Sequence, residues 1–290
     1  MDPGRLLRRE TLSVAWRRQV GGVLWSIVPD DEGGLIGEER DPAARTASFF
    51  RVRIATGETL WSGVTAPGGW WSGIECVTRG ALLLHGFASP DLPGHRGLTA
   101  LDLRDGSSLW SDDDLVFVAV VDGVVYGLRA RSDRRELIGR NLIAGGDASV
   151  EAAHETRLQD LVKRWRAEAQ PPVAVPEPAD AGSDTYARAR RLLAGAPVEE
   201  GRLEALRRGG ITIVAHHESG PPLTPGRPLF RRVLSVFRAE TATPAYRTVL
   251  DDDLPMPAPG AFVVIDRTVL FVQGRRTLCA VHLPDAAGRG

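Results

Sequence analysis

The stretch Val52-Arg-Ile-Ala-Thr-Gly-Glu-Thr-Leu-Trp61 recurs in form as Leu101-Asp-Leu-Arg-Asp-Gly-Ser-Ser-Leu-Trp110. Each copy is an apolar strand, a glycine turn and a second strand ending on tryptophan. A unit of that kind cannot bury its apolar face alone, so repetition implies stacked four-stranded modules, the build of a propeller blade. Five places then show a common hairpin grammar, two apolar runs joined by a short turn. The turns are Asp30 to Gly34, Arg79-Gly80, Asp122-Gly123, Gly209-Gly210 and Asp266-Arg267. Asp-Gly and related pairs tolerate the positive φ that tight hairpins require, and the β-branched flanks suit a pleated surface. The first three turns are spaced at about the 40–45 residues of a four-stranded blade.

These signals predict an all-β, propeller-like single domain over residues 1–290, with about five four-stranded blades and six as the alternative. One region breaks the pattern. Residues 151–209 are expected to form a helical, Pro-rich insertion. Leu158, Leu161, Val162 and Trp165 fall at i, i+3, i+4 and i+7, one stripe of an amphipathic helix over Thr156 to Ala169. Pro171, Pro172, Pro176 and Pro178 follow as an extended connector. Thr185 to Leu193 and Glu199 to Arg208, each ending near glycine, are expected as two further helices. At the chain ends, Leu12 to Trp16 is expected to pair with Leu278 to Leu283, supplying a strand the last blade lacks.

Composition narrows the function classes. Lys+Arg number 36 against Asp+Glu 37, so no net field draws the chain to nucleic acid or anionic lipid, and neither is expected as a partner. The most apolar stretch, Leu115 to Leu128, is interrupted by Asp122-Gly123 and is too short on either side to span a bilayer. Residues 1–16 carry Arg5, Arg8 and Arg9 without a following apolar run, so no export signal is expected. Cys76 and Cys279 sit singly in apolar strands, which fits a reducing compartment, and the cytoplasm is the expected location.

At Leu101-Asp-Leu…Asp-Gly…Leu-Trp110 the repeat resembles that of quinoprotein-type (PQQ-type) β-propellers, a resemblance that implies fold only. The longer stretches Pro29-Asp-Asp-Glu-Gly-Gly-Leu-Ile-Gly-Glu-Glu-Arg-Asp41, Trp70-Trp71-Ser-Gly-Ile-Glu75 and Leu82 to His95 resemble an uncharacterised bacterial domain-of-unknown-function family over roughly residues 12–140. That family has no established activity or ligand to carry over. Quinoprotein dehydrogenases use larger propellers with calcium and often an adjacent-cysteine disulfide. This chain has neither the length nor neighbouring cysteines, so no cofactor is expected.

Several constellations are candidates for chemistry. Glu38-Glu39-Arg40-Asp41 holds two carboxylates, but neighbours on a strand face opposite ways, so only one can enter a pocket; Glu39 is carried as that candidate, and Arg40 is expected to pair with a carboxylate across blades. Trp71 and Glu75 offer a stacking face and an acceptor at the start of an inner strand, with Trp70 expected to pack. His85, Asp91 and His95 have ligand chemistry, and the loop between them is rich in proline and glycine; without a recognised zinc spacing, no metal is expected. The same alternation objection denies a role to His216-His217. Trp16, Trp61 and Trp110 are read as packing between blades. No nucleophile elbow or phosphate-cradling glycine loop is present. The chain is therefore expected to be a non-catalytic binding module that meets a protein partner through the insertion helix or blade loops. The alternative is a small-ligand binder or enzyme using Trp71, Glu75 and His85.

Overall fold

A computed structural model describes residues 11–89, 92–132, 134–148, 150, 155–168, 173–199, 203–220, 229–238, 241 and 243–284. They form an all-β fold of five antiparallel sheets, each of four or five strands, with two helices. The chain divides into two compact units, Val20–Pro171 and Met1–Gln19 with Pro172–Gly290. The first strand, β1 (Trp16–Gln19), belongs to the second of these.

Within Val20–Pro171 three sheets follow one another, each built in sequence order. The first holds β2 (Val23–Pro29), β3 (Gly34–Asp41), β4 (Thr46–Arg53) and β5 (Thr59–Val64). The second holds β6 (Ser72–Thr78), β7 (Ala81–Ser89), β8 (Leu92–Asp102) and β9 (Ser108–Asp112). The third holds β10 (Leu115–Val121), β11 (Val124–Ala130), β12 (Arg135–Asn141) and β13 (Asp147–Ala148). The middle sheet is apolar on both faces because it has a sheet on each side. Along Ala81-Leu-Leu-Leu84, Leu82 and Leu84 pack with Ile36, Phe49 and Trp61, while Ala81 and Leu83 pack with Leu115, Val120 and Val125. A continuous apolar run is what a strand buried on two faces requires.

The repeated tryptophans close these seams. Trp61 Nε1 donates to the Leu103 carbonyl at 2.8 Å, and Trp110 Nε1 donates to the Leu142 carbonyl at 2.8 Å. The accepting residues are equivalent. Leu103 N bonds Gly80 O and Leu142 N bonds Gly123 O, both at 2.9 Å, so each follows the third strand of its sheet and lies over the inner hairpin turn. Those turns have the expected backbone: φ is 44° at Arg79 and 81° at Gly80, and 51° at Asp122 and 76° at Gly123. Helix α1 (Glu155–Glu168) covers the third sheet, with Leu161 beside Ala119 and Val121 and the Trp165 ring edge-on to Phe117 at 5.1 Å.

The other unit adds β14 (Val173–Ala174), β15 (Glu177–Pro178), α2 (Asp184–Leu192), β16 (Leu203–Arg208), β17 (Ile211–Ser219), β18 (Phe230–Arg238), β19 (Tyr246–Leu254), β20 (Phe262–Ile265), β21 (Thr268–Gln273) and β22 (Thr277–His282). The sheet orders are β15-β16-β17-β18-β19 and β1-β22-β21-β20-β14. Ser183 caps α2 by accepting from Tyr186 N at 3.1 Å, and Ala189 and Leu192 pack on Leu203, Val214 and Phe237.

Three expectations for this unit are corrected. Glu199 to Arg208 is not a helix: Leu203–Arg208 is a strand tied to β17 by the Gly209-Gly210 turn, with φ of 54° and 78°. Its alternation is functional, since Leu203 and Ala205 enter the core while Glu204 accepts from Gly260 N at 2.7 Å and Ala261 N at 3.0 Å. The proline-bearing connector supplies short edge strands, where the missing N–H of Pro178 does no harm. The terminal pairing exists but is displaced. The strand is Trp16–Gln19, in register from Trp16↔Ala280 to Gln19↔Thr277, so only Trp16 of the expected Leu12 to Trp16 segment lies in it. Leu12 N instead bonds Ala245 O at 2.8 Å, because Leu12 and Val14 pack on the core of this unit.

Candidate functional site

The site lies in Val20–Pro171 and is built on β6, β7 and β8. A single 3₁₀ turn, Gly69–Trp71, leads into β6 and sets Trp71 against Phe87, edge to face at 6.3 Å. Two bulges then re-aim side chains. One falls at Glu75, where the β6–β7 register shifts between Ile74 and Cys76, and another falls between His85 and Gly86 in the β7–β8 pairing. The outcome is a cluster drawn from three strands. Glu75 Oε2 lies 2.9 Å from His95 Nδ1 and 3.1 Å from His85 Nδ1. The two imidazoles are stacked, with centroids 3.5 Å apart and planes within 9°, and Phe87 meets both edge-on at 5.2 and 5.4 Å.

Burial grades the three groups. The His85 side chain is 9% exposed, Glu75 15% and His95 37%, so the cluster opens to solvent on the His95 side. Burial works to raise the Glu75 pKa, but the two histidines outweigh it and hold the carboxyl below its usual value. Gly73 makes room, since a Cβ there would stand 2.8 Å from His85 Nε2. The adjacent Cys76 is no nucleophile, because burial pushes its thiol well above the ordinary range. Beside the cluster is a pocket of about 300 Å³ whose walls include Trp71, His85, Phe87, Arg96, Thr99 and Asp113.

Of the residues singled out from sequence, Trp71, Glu75, His85 and His95 come together. Asp91 lies outside the described residues. Glu39 stands apart from them on the opposite face of β3 from Glu38, with Oε1 accepting from Gly22 N at 2.7 Å. Its neighbour Glu38 is the inward carboxylate. It is 2% exposed and accepts from Arg40 Nε at 2.6 Å and Ser26 Oγ at 3.0 Å. The expected pairing of Arg40 across blades is therefore corrected: its ion pair is within β3, and what reaches the next sheet is a pair of hydrogen bonds to Trp70 O at 3.1 Å and Ser72 O at 3.0 Å. The guanidinium also lies over the Trp25 and Trp70 rings, at 4.8 and 5.2 Å. Sequence reasoning missed Phe87. Its one signal was the His85-x-Phe87 spacing, which places both side chains on one face of a strand.

In the other unit His216 and His217 are both buried. His216 Nε2 lies 3.0 Å from Glu218 Oε1, which also accepts from Arg247 Nη2 at 2.9 Å, and His217 Nε2 accepts from Ala258 N at 3.3 Å.

Comparison with solved structures gives distant likenesses. A quinohemoprotein alcohol dehydrogenase, ADHIIG, from Pseudomonas putida HK5 aligns at 12% identity and TM-score 0.32, over 91% of this chain and 40% of that one. The uncharacterized protein lmo1340 from Listeria monocytogenes EGD-e aligns at 9% identity and TM-score 0.29, over 90% of this chain and 62% of that one. TolB from Acinetobacter baumannii aligns at 10% identity and TM-score 0.27, over 88% and 65%. The chain thus spans less than two thirds of the length of each. No curated protein matches it. A family model described as Domain of unknown function (DUF4905) matches residues 28–110, the stretch that holds Trp71, Glu75, His85 and His95.

Proposed function

We propose that this chain is a non-catalytic binding protein, its five sheets serving as the blades of a PQQ-like propeller repeat without the quinone, and that it takes a small polar ligand in the pocket beside Trp71 and His85. The observation that carries this reading is the convergence of an aromatic wall, Trp71 and Phe87, with the polar groups of His85, Arg96, Thr99 and Asp113 around about 300 Å³. That is the size and lining of a site for one small molecule with a flat face, which stacks on indole while its polar groups meet Arg96 and Asp113. The apolar stripe of α1 lies on β10 through Leu161 and Trp165, so a protein partner would meet this chain through the outer face of α1 or the blade loops.

The test is a thermal-shift screen of wild-type protein and Trp71→Ala against a library of small sugars, nucleosides, amino acids and carboxylic acids. Compounds that raise the wild-type midpoint and leave the variant unmoved support the reading. A library in which every stabilising compound acts equally on both proteins refutes it.

A further inference from the structure

We infer that Glu75, His85 and His95 form a binding site for one divalent transition-metal ion, with zinc the best match. Of its three ligand residues only His85 also lines the small-ligand pocket, and Phe87 borders both.

The donor set comes first. One ligand atom from each residue lies within 4.8 Å of the other two. Two imidazole nitrogens with one carboxylate oxygen are borderline donors that suit zinc and its first-row neighbours, and are a poor set for calcium or magnesium, which want oxygen. Metal–ligand bonds of about 2.0–2.1 Å in a tetrahedral site put the donor atoms roughly 3.3 Å from one another. The carboxylate-to-imidazole separations of 2.9 and 3.1 Å are within a few tenths of an ångström of that figure.

The second observation is an orphaned atom. His85 is 8% exposed, and among the described residues its Nδ1 has no hydrogen-bond partner, although Glu75 Oε2 stands 3.1 Å away. The oxygen is near but out of line. A buried imidazole nitrogen ordinarily has a well-aligned partner, and one without it that lies within 4.8 Å of two other ligand atoms is what an ion would satisfy. Phe87, edge-on to both rings, supplies an apolar flank beside the donor atoms. Entry is through His95, the most exposed of the three. The two ring planes are parallel within 9° and 3.5 Å apart, so in-plane lone pairs cannot meet at one ion until the His95 ring tilts out of the stack toward it. A fourth position is left for water.

The experiment is calorimetric titration of the chelator-treated chain with zinc chloride. Wild type is expected to take up one zinc per chain. His95→Gln and Glu75→Gln are expected to weaken binding at least tenfold, while His282→Gln and Trp71→Ala leave it unchanged. His95→Gln is the decisive variant because its side chain is the most exposed of the three and least needed for folding; a melting curve in the absence of zinc confirms that it folds. No uptake by wild type, or equal affinity and stoichiometry in wild type, His95→Gln and Glu75→Gln, overturns the assignment. Loss of zinc in Trp71→Ala overturns it as well. Because Trp71→Ala should lose the small ligand and keep the metal, the failure of either proposal is distinguishable from failure of the other.

Discussion

Replacing Trp61 tests whether the repeated tryptophans hold neighbouring sheets together. Trp61 is 8% exposed and packs among Ile36, Phe49, Leu82 and Leu103, with its Nε1 donating to Leu103 O at 2.8 Å. Two substitutions divide its contribution. Trp61→Phe keeps a ring and deletes the N–H. The Leu103 carbonyl is not orphaned, because Arg51 Nη1 still donates to it at 3.0 Å. The lost bond therefore costs a net hydrogen bond of about 1 kcal/mol, and the missing part of the indole leaves a small cavity costing about 1 kcal/mol more. Trp61→Ala removes the whole side chain and is expected to cost about 3–5 kcal/mol. For a unit of this size each kcal/mol lowers the melting midpoint by about 2–4 °C, so the variants should melt roughly 4–8 and 6–20 °C below wild type. Urea unfolding followed by far-ultraviolet circular dichroism measures both without relying on the fluorescence being altered. Trp110→Ala should cost less, since Trp110 is only half-buried although it makes the equivalent bond to Leu142. If Trp61→Ala unfolds within about 1 kcal/mol of wild type, or if Trp110→Ala costs more, the seam argument fails.

Two further outcomes follow from buried charge. Arg40→Met leaves Glu38, with a side chain 3% exposed, without its cation and should cost about 3–5 kcal/mol in urea unfolding, partly restored by adding Glu38→Gln; a double variant no more stable than Arg40→Met would contradict this. His216 governs a pH response. Burial, the largest cause, lowers its pKa despite the Glu218 carboxylate, and Arg247 and His217 add to the lowering. The unfolded chain therefore takes up a proton near the ordinary histidine pKa of about 6.5 while the folded chain does not. This contribution to stability is complete above that pH and is lost as pH falls below it toward the folded value. The urea midpoint of wild type should thus drop between pH 7 and pH 5 more steeply than that of His216→Gln, and parallel curves would count against the assignment.

How legible the molecule was depends on the distance over which each feature is specified. All five hairpin turns stand where turn chemistry placed them, because positive φ at pairs such as Asp122-Gly123 is a property of two adjacent residues. The helices at Glu155–Glu168 and Asp184–Leu192 were likewise readable from a local stripe and cap. Glu199 to Arg208 misled because its composition suits a helix, and only pairing with β17 makes its second half a strand.

For the site, the residue types and part of the grouping were visible. The sequence joins His85, His95 and Asp91 through one loop and sets Glu75 with Trp71 and His85 in one pocket, but nothing in it brings Glu75 to His95. Glu75 reaches both histidines because bulges shift two strand registers, and a register is set by bonds between residues far apart in the chain. The same holds for Glu38 and Glu39. Alternation says that one faces inward, and which one it is depends on the packing of β3 against β6, where Arg40 bonds Ser72 O. Strand identity, turn type and the recurring tryptophan are short-range properties that the amino-acid order carries unaided. The meeting of Glu75, His85 and His95 belongs to the folded chain, because side chains on three strands share one place only after their register is set.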